Sequence, residues 1–124
     1  VIYFDDGVVG LSVERRGATL RLLERPAKGG KPDYVAVAHI QRWTEDAASI
    51  SGLLGSVSMR HQALIVKVLH GLGIRWLFSE RSFGRTGMAH RVDYMPLRGW
   101  FITDIDEAVK RASARYPKIH DVGQ

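Results

Sequence analysis

Between Ser51 and Arg81 the chain runs through a small-residue stretch, an apolar segment from Met59 to Leu69, the pair Gly71 and Gly73, and Ile74-Arg-Trp-Leu-Phe78. Wound as a helix, Ala63, Leu64, Ile65, Val66, Val68 and Leu69 cover most of the circumference, so the helix must be largely buried. Arg60 and Lys67 share the one narrow polar stripe, with His70 nearby. The two glycines stop the helix. Ile74 to Phe78 is apolar at both parities, as a central strand covered on both sides should be. In α/β proteins, a small-residue turn that opens a buried helix and is followed by such a strand is suited to holding an anion at the helix N-terminus.

The 124 residues predict one domain, 1–124, large enough to bury a core without covalent staples. The absence of cysteine excludes disulfides, thiolate metal sites and a cysteine nucleophile, and fits a reducing, cytoplasmic setting. No apolar run approaches the roughly 20 residues that span a bilayer, so no membrane role is expected. The formal charge of +5 is unevenly distributed, since residues 1–50 carry as many acids as bases. Arg60, Lys67, Arg75, Arg81, Arg85, Arg91 and Arg98 face only Glu80 and Asp93 in the segment 60–98. That excess suits an anionic partner, or else is a solvated basic surface.

Along the chain, Val1–Phe4, Val8–Glu14 and Ala18–Glu24 read as strands, the last two as a hairpin around Arg15-Arg16-Gly17. Pro26 to Pro32 reads as a loop. Tyr34–Trp43 is a strand with Ala36, Ala38 and Ile40 on one face and Val35, Val37 and His39 on the other. Thr44–Ile50 is expected to be a helical turn capped by Thr44, leading into a turn from Gly52 to Ser58. Two helical turns are expected over Met88–Tyr94, then a strand over Arg98–Asp104. Asp104 followed by Glu107 starts a helix over Ile105–Tyr116, ending at Pro117 and leaving a frayed tail.

The five histidines form no H-x-H or H-E-x-x-H spacing, so no metal site is expected. Gly55-Ser56-Val57-Ser58 is not the G-x-S-x-G elbow of a serine hydrolase. Small residues from Gly52 to Ser58 let backbone N–H groups converge on an anion, with Arg60 in the first helical turn adding a charge-assisted contact, unless the turn is small only for packing.

The order of elements resembles the GNAT superfamily of N-acetyltransferases, as a reduced member of the sort found in small phage-encoded proteins. The corresponding parts are the strand Tyr34–Trp43, the turn Gly52–Ser58, the helix Met59–Leu69, the strand Ile74–Ser79, the short helix Met88–Tyr94 and the glycine-aromatic strand Gly99–Ile102. The likeness covers roughly residues 34–104. The family's Arg/Gln-x-x-Gly-x-Gly/Ala run is replaced by Gly52-x-x-Gly55-Ser56-x-Ser58, and there is no room after Phe4 for the two helices that wall the acceptor site. The resemblance implies an α/β (α+β) fold, a mixed and mostly antiparallel central sheet with a buried helix between two parallel strands. It implies transfer of an acyl group from acyl-CoA, acetyl-CoA above all, to an amine of a protein or small molecule. Gly52, Gly55, Ser56, Val57, Ser58 and Arg60 would hold the cofactor's pyrophosphate, and a backbone N–H of Tyr34–Trp43 would polarise the thioester. Tyr94 would protonate the thiolate, with His39, Glu45 or Glu80 as the general base and His39 preferred. The alternative is an inactive binding protein on the same scaffold that docks a host protein or nucleic acid through Arg60–Arg98. No aromatic stacking motif interleaves those basic residues.

Overall fold

The computed structural model describes residues 2–14, 19–25, 34–55, 58–80, 89–117 and 120–123. Five consecutive strands come first: β1 (Ile2–Asp5), β2 (Gly10–Val13), β3 (Thr19–Leu23), β4 (Tyr34–Arg42) and β5 (Ala47–Gly55). Helix α1 (Met59–Gly71) follows, then β6 (Trp76–Ser79), β7 (Ala89–Arg91), β8 (Phe101–Asp104), α2 (Ile105–Arg115) and β9 (His120–Gly123). The strands form one mixed sheet in the order β7-β8-β6-β5-β4-β3-β2-β1-β9. Among the described residues every pairing is antiparallel except β5 with β6, which run parallel from Ala47 opposite Trp76 to Ile50 opposite Ser79. A parallel pair cannot be closed by a tight hairpin and requires a crossover, and α1 supplies it. This is the expected mostly antiparallel mixed sheet with a buried helix between two parallel strands.

The alternation read from the strands selects the covered face. Leu20, Leu22, Ala36, Ala38, Ala48, Ile50 and Leu77 from the sheet pack with Leu64, Ile65, Val68 and Leu69 of α1 and Ile105 and Ala108 of α2. Both helices therefore lie on one side of the sheet, and among the described residues neither covers the other. The alanines of β4 and β5 keep the sheet surface low where α1 approaches it. Ser58 caps α1, its hydroxyl accepting the His61 N–H, and Gly73 in the left-handed region (φ 84°) lets the Gly73 and Ile74 N–H groups reach the carbonyls of His70 and Leu69. Asp104 caps α2 as expected, accepting the N–H groups of Asp106 and Glu107.

Four expectations are corrected. Thr44 does not open a helical turn: Trp43 and Thr44 donate to the carbonyl of Ala47, and the Thr44 hydroxyl accepts the Ala47 N–H, closing a hairpin into β5. The capping chemistry of Thr44 with Glu45 and Asp46 serves a β-turn equally well, and burial of Ala48 and Ile50 draws the following segment into the sheet. Accordingly β5, not Tyr34–Trp43, is the strand that leads into α1 and pairs in parallel with β6. Residues 89–91 of the expected short helix form strand β7 on the β8 edge, where Ala89, His90 and Arg91 find ladder partners in Thr103, Ile102 and Phe101. Finally, residues 120–123 of the expected frayed tail form β9, which adds to the free edge of β1. The Arg15–Gly17 turn and the Pro26–Pro32 loop lie outside the described residues.

Ile65 sits fully enclosed at the centre of this core. Ile65→Ala should lower the free energy of unfolding by about 2–5 kcal/mol in urea titrations followed by circular dichroism.

Candidate active site

The parallel pair ends at Ile50 and Ser79, yet β5 continues to Gly55 against β4 alone. Among the described residues, Ser51 to Gly55 have no ladder partner on the β6 side, where the described chain continues only to Glu80. The β4–β5 ladder is distorted along this stretch. Val37 pairs with Leu54 and His39 with Ser51, so the single residue Ala38 stands opposite Gly52 and Leu53. This is a β-bulge, and Gly52 adopts φ 71° to make it. A Cβ on Gly52 would lie 2.9 Å from Cδ2 of His39. The exposed His39 imidazole therefore rests across the bulge on the helix-free face, where only glycine leaves room for it.

Two more predicted residues reach the same end of the sheet. Glu80 follows the last residue of β6 and is exposed. Because β8 runs antiparallel to β6, the connection from β7 to β8 also lies there, and Tyr94 projects from it 60% exposed. Strand pairing ends with Val92 donating to Trp100 and Gly99 to Val92, which leaves Tyr94 in a loop rather than on a helix. From the end of β4 the Trp43 ring reaches along the helix-free face to stack on Phe78, the register partner of Ser49, at 4.8 Å, and to meet Trp100 of the β7–β8 connection at 6.2 Å.

The cofactor residues divide. Gly52 and Gly55 belong to β5 rather than to the turn before the helix, because pairing with β4 carries the strand on to Gly55, and that corrects the expected turn from Gly52 to Ser58. Ser56 and Val57 lie outside the described residues. Ser58 is at the head of α1 and exposed, and the first turn of α1 carries no acidic residue. Arg60 turns toward Asp6 and Tyr116: its Nη1 donates to Asp6 Oδ2 at 2.8 Å, and its guanidinium lies 4.9 Å from the Tyr116 ring centre. Lys67, one stripe further along, donates to the Tyr116 carbonyl. The narrow polar stripe of α1 thus ties the helix to Asp6 and to the residue that ends α2.

Sequence reasoning passed over Asp6 and His61. The Asp6 carboxylate accepts the N–H groups of Val8 and Val9 through Oδ1, both at 2.9 Å, and Arg60 through Oδ2. Burial by itself raises its pKa, but the Val9 and Val8 N–H groups and Arg60 outweigh that and hold it below the ordinary aspartate range. His61, four per cent exposed, places Nδ1 2.7 Å from the Ser58 hydroxyl and Nε2 2.7 Å from the Leu23 carbonyl. The visible signal was a serine three residues before a histidine on the buried side of a helix. Among the described residues no group of three or more histidine or acidic side chains is placed to hold a metal, and no helix is long and apolar enough to cross a membrane.

Three of the described basic residues of segment 60–98 lie beside carboxylates. Arg60 lies at the first turn of α1 beside Asp6, Arg75 follows the other end of that helix beside Asp104 and Asp106, and Arg98 sits beside Asp93 in the β7–β8 loop. Arg81 and Arg85 lie outside the described residues. No protein-family model, curated protein or solved structure significantly matches the chain.

Gly52→Ala should cost about 1–3 kcal/mol, since alanine resists φ 71° and crowds His39. Adding His39→Ala should recover the crowding part and leave the backbone part, in a double-mutant cycle read by urea unfolding. A second expectation concerns acid. The depressed Asp6 pKa stabilises the fold above the unfolded aspartate range near 4, and that contribution is lost as pH falls through the lower folded value. Asp6→Asn should therefore be less stable by about 1–3 kcal/mol at pH 7 and show a flatter loss of stability below about pH 4.

Proposed function

We propose that the chain is an acyltransferase of the GNAT type, passing an acyl group from acyl-CoA, with acetyl-CoA as donor, to an amine. The observation that carries this reading is the bulge at Gly52 and Leu53, with His39 lying across it, on the strand that parts from its parallel neighbour and leads into α1. A bulge takes backbone groups out of the ladder and re-aims them, and among the described residues β5 has no ladder partner on its β6 side beyond Ile50. Backbone N–H groups there suit the polarisation of a thioester carbonyl, the part first given to Tyr34–Trp43. The head of α1 at Ser58 suits the pyrophosphate, through backbone N–H groups that helix geometry leaves unpaired.

In this mechanism the amine nitrogen attacks the thioester carbon as His39 takes up its proton. The carbonyl oxygen gains charge against the β5 backbone, and collapse breaks the carbon–sulfur bond. The departing sulfur takes a proton from Tyr94 or from water. The acceptor enters over the helix-free face, where His39, Ser51 and Gln41 are exposed and the aromatic cluster of Trp43, Phe78 and Trp100 forms a wall. Arg60, Arg75 and Arg98 each lie beside a carboxylate, which offsets part of the charge that the alternative, a basic docking face, would use.

Calorimetric titration with acetyl-CoA should give saturable heat, and His39→Gln should retain that binding while lowering turnover of a primary amine acceptor by about 100-fold or more. Absence of saturable heat at millimolar ligand would overturn the reading.

A further inference from the structure

A second reactive arrangement lies at the head of α1, and its chemistry follows from the tautomer of His61. A carbonyl oxygen only accepts, so the 2.7 Å contact with Leu23 fixes the proton on Nε2 of the neutral ring. Nδ1 then carries the lone pair, and the partner at 2.7 Å must donate, so the Ser58 hydroxyl points its proton at Nδ1. The ladder irregularity between Leu22 and Leu23, where β3 meets the start of β4, sits at the carbonyl that receives Nε2. The result is a solvent-exposed hydroxyl, a base that is more than nine-tenths buried, and a backbone group that orients the base. Nucleophile, base and orienter in hydrogen-bonded series is the arrangement that activates serine.

We propose that Ser58 and His61 form a nucleophile–base pair that acts on carboxylic esters with a good leaving group. Ser58 Oγ forms the new bond to the carbonyl carbon while its proton passes to His61 Nδ1. The resulting imidazolium keeps its Nε2 proton on the Leu23 carbonyl. The tetrahedral oxyanion forms beside the N–H groups of Met59 and Arg60, which helix geometry leaves without intrahelical partners, and Met59 directly follows the nucleophile. Collapse breaks the carbon–oxygen bond to the leaving group, which departs with the proton held on Nδ1. Water then attacks the Ser58 ester by the same route, releasing the acid and restoring the hydroxyl. The His61 N–H, which Ser58 Oγ accepts at 3.1 Å, holds the nucleophile in place throughout. This inference does not rest on the thioester reading, since it uses neither the bulge nor His39.

The test treats the full chain with an alkyl fluorophosphonate and maps the adduct by peptide mass spectrometry. Formation of the Ser58 phosphorus–oxygen bond expels fluoride, with the proton passing to His61. The expected result is one adduct, on Ser58, together with a stoichiometric burst of p-nitrophenol from p-nitrophenyl acetate. His61→Asn should slow both by about 100-fold or more. Ser58→Asp keeps a good N-cap, so it should unfold cooperatively in urea like the parent and yet take no label, which separates chemistry from capping. A folded parent protein with no Ser58 adduct, adducts spread over several serines, or an undiminished rate in folded His61→Asn would each overturn the proposal. Acetyl-CoA titration of the unlabelled parent protein reads the thioester hypothesis separately, and labelling is carried out without coenzyme because both readings place a ligand at the head of α1.

Discussion

Burial of α1 against one face of the sheet is the constraint on which the other features depend. Its apolar residues exceed what one stripe can cover, so the helix must lie over the sheet with α2 beside it, and its narrow polar stripe is left to reach Asp6 and Tyr116. A helix in that position returns the chain to the starting end of β5, and β6 can then join the sheet only in parallel with β5. Among the described residues that one parallel pairing stops at Ile50 and Ser79, and β5 runs on to Gly55 against β4 alone.

The two reactive regions flank the β5–α1 connection and use different physics. At the bulge, glycine's access to a positive φ lets an extra residue enter β5, and the missing Cβ lets the His39 ring lie across it. At the head of α1, the requirement to satisfy buried polar atoms orders Ser58, His61 and the Leu23 carbonyl in series. The first region offers backbone donors and an exposed base. The second offers an exposed hydroxyl and an enclosed base. Neither needs a metal ligand or a thiol, in keeping with a chain that has no cysteine.

Legibility in the sequence followed locality. Alternation in Tyr34–Arg42 and in Thr19–Leu23 identified strands and their buried faces, because period-two patterning is carried by each strand itself. Ser58 was named as part of the site, but its side-chain partner His61 is oriented by the Leu23 carbonyl, 38 residues before that histidine. His39 was singled out from its strand face, whereas its seat on Gly52 exists only once β4 and β5 pair in the bulged register. Glu80 and Tyr94 reach the same end of the sheet because β8 reverses beside β6, which no local spacing encodes.

The sequence by itself determined helices α1 and α2 with the residues that cap or stop them, the antiparallel strands before β5, and one covered apolar face. Those features rest on periodicity and capping chemistry that neighbouring residues supply. Tertiary structure decided that Ala47–Gly55 is a strand, that β7 and β9 form at the edges, and that Arg60 faces Asp6. A short segment such as Ala89–Arg91 or His120–Gly123 has too little local preference to choose a conformation, and it becomes a strand when an adjacent edge offers hydrogen-bond partners.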